Sequence, residues 1–270
     1  MNTHGPFSWL VRESQERPPL SILFGWPYFC ISQAILLINL FYCVPFGRTL
    51  GNFFETILLT ICGVILDALS SNSFSYNIQT LRLNGFSDWY VFGSMIINWV
   101  NGQTASVVVF RYIAGPDEIV KLFDISSYTI MTIAQVFMNL TCTEILFYFA
   151  HRYLHENWPS LHLMHHCCLR TTGSSNLIFH PLDLMIEFGG PGMILFFNHY
   201  IFWNQNVITL LVSYLYVQIH YTLNHNEWIS TYHKSHHSQL DAAYAVYLKI
   251  RGQPEKDKLR KLIKRPAKSE

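Results

Sequence analysis

Apolar positions along this chain come in long unbroken runs, not in the alternation of a half-buried strand or the stripe of a surface helix. Residues 20–46, "LSILFGWPYFCISQAILLINLFYCVPF", carry no charge. A helix needs roughly 20 apolar residues to cross a ~30 Å hydrocarbon core, and this run exceeds that. Further runs cover 51–69, weakened by Glu55 and Asp67, then 90–110, 125–149 and 184–222. The last is broken at Asn204, Gln205 and Asn206, which predicts a helical hairpin. The pattern predicts an all-α fold, a polytopic membrane helical bundle of about four to six membrane-embedded helices.

Composition strengthens that reading. Charged residues make up 13% of the 270 positions, where a water-soluble domain carries about a quarter. The net charge of +1 argues against a nucleic-acid partner, because phosphate binding needs a basic field. With six crossings, 15 of the 18 basic residues fall on one side, and only Arg48, Arg111 and Lys121 on the other. The positive-inside rule makes the richer side cytosolic. Four crossings plus a half-inserted hairpin fit the pattern as well. The six cysteines lie mostly in apolar stretches without CxxC pairs and are expected as buried thiols. The polar start "MNTHGPFSWLVRESQERPP" is not expected to be a cleavable signal peptide. Three regions are expected: an N-terminal membrane-spanning region 1–124, a domain at 125–250 holding the candidate chemistry, and a solvated basic cytosolic tail 251–270. Asn139-Leu140-Thr141 spells a glycosylation sequon inside an apolar run, where no glycan is expected.

The candidate chemistry is histidine. Of 13 histidines, all but His4 fall between 151 and 237. His151 and His155 are four apart and share a helix face. His162, His165 and His166 form HxxHH, and His233, His236 and His237 repeat it. Eight imidazoles thus converge on one membrane face. Crowded together they would repel if protonated and leave unpaired nitrogens if neutral and buried, and a divalent metal removes both problems. One metal takes about four to six ligands, so eight or more histidines predict a dinuclear site. Imidazole alone does not choose between zinc, copper, iron and nickel. HExxH does not occur, and ExxH is missing after Glu144, Glu156, Glu187 and Glu227, which argues against zincin proteases and ferritin-like carboxylate sites.

"HRYLH", "HLMHH" and "HKSHH" resemble the three histidine boxes of the sterol desaturase and fatty acid hydroxylase superfamily, membrane-embedded non-haem di-iron oxygenases. "FHPLD" at 179–183 is similar to the His-Pro-acid element between that family's second and third boxes, and His220 occupies another histidine position. The resemblance covers roughly residues 145–247. Three features depart from it. The spacer "ENWPSL" is about one helical turn short, and a whole-turn loss keeps the facing. The usual Asn-Tyr-Gly stretch is replaced by Ala243-Tyr244-Ala245, with no Trp-Asp before "KIRGQP". The His-Pro-Gly-Gly signature of a fused cytochrome b5 domain does not occur.

The resemblance implies a histidine-rich cytosolic cap holding two iron ions, with zinc an alternative occupant in purified protein and O2 as co-substrate. The implied metal ligands are His151, His155, His162, His165, His166, His180, His220, His233, His236 and His237. Supporting positions are Glu144, Asp183, His225 and Asp241, of which Glu144 sits two turns below His151 and His225 could also ligate. His199, near the hairpin turn, is expected to be structural. The implied activity is O2-dependent hydroxylation or desaturation of a sterol or fatty acyl chain, and the acidic fourth residue of "HPLD" leans towards sterols. Electrons would come from an external donor such as cytochrome b5 with an NAD(P)H reductase. The expected location is the endoplasmic reticulum in a eukaryote, with the boxes facing the cytosol, or the inner membrane of a bacterium. The competing readings are a membrane zinc-binding protein, either a transporter or a catalytically inactive family member, and a non-catalytic regulator.

Overall fold

The computed structural model describes residues 5–7, 31, 34, 35, 37, 38, 49–70, 72–202, 205–225, 232–240, 243–246, 248, 250 and 252–266. The described residues fold as helices and turns, with no β-strand among them. Apart from residues 31, 34, 35, 37 and 38, the first apolar run lies outside the described residues, as does Asp241.

The second apolar run forms α1 (Thr49–Ser70), which is followed at once by α2 (Asn72–Leu83). The chain bends by 95° between them. α2 stops where Gly85 takes a left-handed φ of 88° and Phe86 N–H returns to the Leu81 carbonyl, a closure that satisfies otherwise orphaned carbonyls. Ser87 then caps α3 (Asp88–Val107), accepting from Tyr90 N–H, while Arg82 grips Asp88 through two bonds of 2.9 and 2.7 Å. This tight turn fixes α2 against α3. Phe74, Ile78, Leu81, Val91 and Met95 bury their side chains there together with Met164 from within the second histidine cluster and Cys167, Cys168 and Ile178 from beyond it.

α4 (Ile130–Asn157) is the axis of the molecule. A reciprocal cap between Thr129 and Thr132 starts it, and its 28 residues extend roughly 42 Å at 1.5 Å per residue. That length crosses a hydrocarbon core and leaves two turns beyond it. Among the described residues α4 is the one unbent helix long and apolar enough to cross a membrane, and the bent pair α1–α2 is a second candidate. Against the expected four to six embedded helices, the described residues give one clear candidate and one bent one. The third run and the hairpin are helical but interrupted. π-helical turns at Val108–Ala114, Met185–Gly189 and Asn198–Phe202 break them into shorter pieces.

The hairpin's first arm runs from Pro181–Leu184 through α6 (Gly190–Phe197), and its second is α7 (Val207–Asn224). Both pack on α4. A buried amide network fastens them there. Asn139 of α4 donates to Gln205 Oε1 (2.9 Å) and Ser213 Oγ (3.0 Å), and its own Oδ1 accepts from Asn198 (2.8 Å) and Gln205 (3.1 Å). A buried polar group is tolerated when it is paired this fully. Cys167 and Cys168 are buried as expected, whereas Cys62 is exposed on α1.

Candidate metal centre

The last two turns of α4 carry His151 and His155 on one face. Trp158 interrupts the helix for a single residue and α5 (Pro159–His166) starts immediately, with proline in the first turn, where its missing N–H is not needed. The short "ENWPSL" spacer is helical apart from this one-residue break. It brings His162 and His166 to His155, with ring centroids 4.9 and 4.6 Å away. α8 (Tyr232–Gln239) supplies His233, His236 and His237.

Two groups form. In the first, His151, His155, His162 and His166 place their ligand atoms within 4.8 Å of one another. His236 joins its edge, 3.1 Å from His155 between Nε2 atoms. In the second, His165, His225, His233 and His237 meet the same criterion. His237 Nε2 lies 3.2 Å from His233 Nε2 and 3.3 Å from His225 Nε2. The groups adjoin, since His166 stacks on His237 with centroids 4.5 Å apart. All nine rings are at most 1% exposed.

The outer nitrogens decide which way the lone pairs face. His151 Nδ1 is 2.8 Å from the Tyr244 carbonyl, His155 Nδ1 is 3.1 Å from Asp257 Oδ1, and His162 Nδ1 is 2.9 Å from both oxygens of Asp183. An acceptor at Nδ1 fixes the proton there and leaves Nε2 a bare lone pair. Those Nε2 atoms turn inward. His155 Nε2 faces His151, His166 and His236 at 3.2, 3.0 and 3.1 Å. No single hydrogen can satisfy three such contacts, and converging lone pairs repel unless a cation sits between them. The spacing also fits, because adjacent ligands about 2.1 Å from a metal at right angles lie about 3.0 Å apart. His162 Nε2 and both nitrogens of His165 have no hydrogen-bond partner. Glu187, fully buried, lies 3.9 Å from His151 and 3.7 Å from His162, with both oxygens unpartnered. A buried carboxylate in that state calls for a compensating positive charge. These residues could hold two cations.

Burial pushes His165, His166, His233 and His237 well below their ordinary range, and neighbouring histidines push them further down. Neutral imidazole is the ligating form.

Of the ten histidines expected as ligands, eight lie in these groups and two do not. His180 caps its own short helix, its Nδ1 accepting from Leu182 N–H at 3.2 Å. His220 sits 3.3 Å from Asn224 Nδ2 on α7, between Tyr216 and Tyr221. His225 belongs with the second group, not behind it. Asp183 holds His162. Glu144 Oε1 accepts from Leu248 N–H at 3.1 Å and anchors the segment after the third box. Arg152 pairs with Glu156 at 2.8 Å. Sequence reasoning missed Glu187, Asp257 and the Tyr244 carbonyl. Glu187 alone had a signal, standing one helical turn after Asp183. Just after α8, Leu240 takes a left-handed conformation (φ 51°), unusual for a residue with a Cβ. Phe179 of "FHPLD" stacks flat on His165 at 3.6 Å.

Residues 136–252 match the family model described as fatty acid hydroxylase. No curated protein and no solved structure matches the chain.

Proposed function

We propose, for a chain that belongs through residues 136–252 to the fatty acid hydroxylase family within the sterol desaturase/fatty acid hydroxylase superfamily, that it is an O2-dependent di-iron lipid oxygenase acting on a sterol or fatty acyl chain. The family implies an oxygenase of the lipid hydroxylase or desaturase type, is membrane-associated and is generally iron-dependent. One observation carries the finer reading: nine buried histidines turn their lone pairs into two adjoining groups at the end of an apolar helix.

His151, His155, His162, His166 and His236 would hold one iron, and His165, His225, His233 and His237 the other. When bound, the pair supplies the redox chemistry with O2 that an unactivated C–H bond requires and that zinc lacks. The chain's own residues do the rest. Asp183, Asp257 and the Tyr244 carbonyl fix tautomers and ring orientations. Phe147, Phe188 and Tyr221 pack beneath the first group and keep water from it, with Phe147 5.3 Å from His151. The acid of "HPLD" hydrogen-bonds a candidate ligand, so it speaks to metal holding and not to a sterol substrate. Exposed apolar side chains on α1, α4 and the hairpin, Phe54, Ile130, Phe137 and Ile201 among them, favour a membrane-embedded, multi-pass placement. We place the histidine groups on the cytosolic side, in the endoplasmic reticulum of a eukaryotic host, with electrons from an external donor such as cytochrome b5 and its NAD(P)H reductase.

The test is metal content of detergent-purified protein, followed by turnover with O2, a cytochrome b5 reductase chain and a panel of sterols and fatty acyl lipids. Two irons per chain and an oxygen-dependent lipid product are expected. Zinc alone, after anaerobic expression with added iron, would move the assignment to the zinc-binding or inactive member.

A further inference from the structure

The last stretch of chain, expected as a solvated basic end, returns to the metal centre. Gly252 passes flush against Tyr244, where a Cβ would collide with the aromatic ring. Asp257 is 1% exposed and Leu259 is fully buried, while Lys256, Lys258, Arg260 and Lys261 face outward. Farther on, Lys264 exchanges two bonds with Asn84. Its carbonyl accepts from Asn84 Nδ2 and its N–H donates to Asn84 Oδ1, both at 2.8 Å. Asn84 lies in the tight turn between α2 and α3, so the anchor is rigid. Residues 252–266 therefore form a strap held at both ends. Between the anchors, Asp257 Oδ1 accepts from His155 Nδ1 and from Arg260 N–H, each at 3.1 Å.

We propose that this strap is a working part of the metal centre and that Asp257 is a positioning residue for His155. The proposal rests on the metal reading above and goes beyond the segment the family model matches, which ends at 252. A carboxylate behind a ligand imidazole holds its tautomer and raises its basicity, and losing one typically costs 10–100-fold in metal affinity. The effect is selective, because Asp257 bonds a ring of the first group while the second is built from α5, α8 and the end of α7. It is also reciprocal. If the docked strap strengthens metal binding, bound metal holds the strap down by the same factor. The strap closes on a loaded centre and loosens from an empty one.

The test uses the full-length protein with cobalt(II) as the probe metal and trypsin as the probe of the strap. The wild type should bind two cobalt ions, and chelation should speed cleavage at Lys256–Lys261 severalfold. Asp257→Ala should weaken one of the two binding events by 10–100-fold, leave the other unchanged and make cleavage fast with or without metal. Asp257→Glu should restore part of the affinity. Asn84→Ala frees the far anchor without touching the centre, and should give faster cleavage with a smaller loss at the same site. Equal weakening of both sites in Asp257→Ala would assign it a merely structural role and overturn the proposal. So would a freed strap in Asn84→Ala with unchanged cobalt affinity, or cleavage indifferent to metal in a wild type that binds two ions. A wild type that binds no cobalt would instead sink the metal centre itself.

Discussion

His162 Nδ1 lies 2.9 Å from each carboxylate oxygen of Asp183, and neither residue has any exposed surface. The pair fixes the imidazole proton on the outer nitrogen and turns Nε2 towards His151, His155 and His166. Asp183→Ala is expected to weaken metal binding in the first group by 10–100-fold. Asp183→Asn keeps an acceptor oxygen and should lose less. Competitive titration against a chromophoric chelator measures both, and an Asp183→Ala protein with wild-type affinity would remove Asp183 from the centre.

His225 and His180, which sequence alone treats alike, differ in their surroundings. His225 Nε2 is 3.3 Å from His237 Nε2, whereas His180 spends its Nδ1 on a helix cap and is partly exposed. His225→Ala should reduce the bound metal from two ions per chain towards one, and His180→Ala should leave two. Elemental analysis of the purified variants decides between the residues. The opposite pattern would mean that the rings rearrange around the ion.

The contrast shows what sequence could carry. Spacings of three and four set the box histidines on common helix faces, so their convergence was legible once the segments were read as helices. Asp183, close to its partner in sequence, was legible too. Asp257 was not: it lies 102 residues from His155 within a run of lysines, and charge pattern alone makes such a run a solvated tail. Glu144 makes a contact of the same long-range kind. Its place two turns below His151 gave its direction along α4, and no spacing could show that its Oε1 accepts from the backbone of Leu248, 104 residues away. Counting ligands brought in His180 and His220, and no count can reveal that a local helix end or a neighbouring amide already occupies a ring. The apolar runs were legible as helices. Their number as continuous spans was not, because π-helical turns and a 95° bend leave no signature in hydropathy.

Acid should dismantle the site from a predictable pH. His165, His166, His233 and His237 are held well below the ordinary histidine value of about 6.5 by burial first and by each other second. Below that value the unfolded chain binds protons that the folded chain refuses, so stability falls as pH drops through about 6.5 and is flat above it. Metal binding needs the same neutral rings and weakens in the same direction. Chelated protein should therefore melt progressively lower from pH 6.5 to 5 and show little change from 7 to 8. A melting temperature constant from pH 8 to 5 would mean that these rings are not buried in solution.

The amide network on α4 ties stability to the metal centre from a distance. Asn139 lies twelve residues before His151, roughly 18 Å along the helix. Its four bonds hold Asn198 and Gln205 of the hairpin, all within groups at most 3% exposed. Asn139→Ala would strand amides that have no water to turn to, at about 1–3 kcal/mol for each unsatisfied group. A loss of about 3 kcal/mol or more is expected in detergent unfolding. Because the hairpin carries Asp183 and ends at His225, the variant should lose metal from both groups together, unlike Asp183→Ala, which acts on one. Thr141 offers the control: it faces outward, bonds only the Phe137 carbonyl among its described contacts, and completes the Asn139 sequon. Thr141→Ala should leave stability, metal content and gel mobility unchanged, since a fully buried Asn139 is closed to a glycosyltransferase. If Asn139→Ala costs under about 1 kcal/mol, the network does not fasten the hairpin, and the register between α4 and the second histidine group must be set by apolar packing alone.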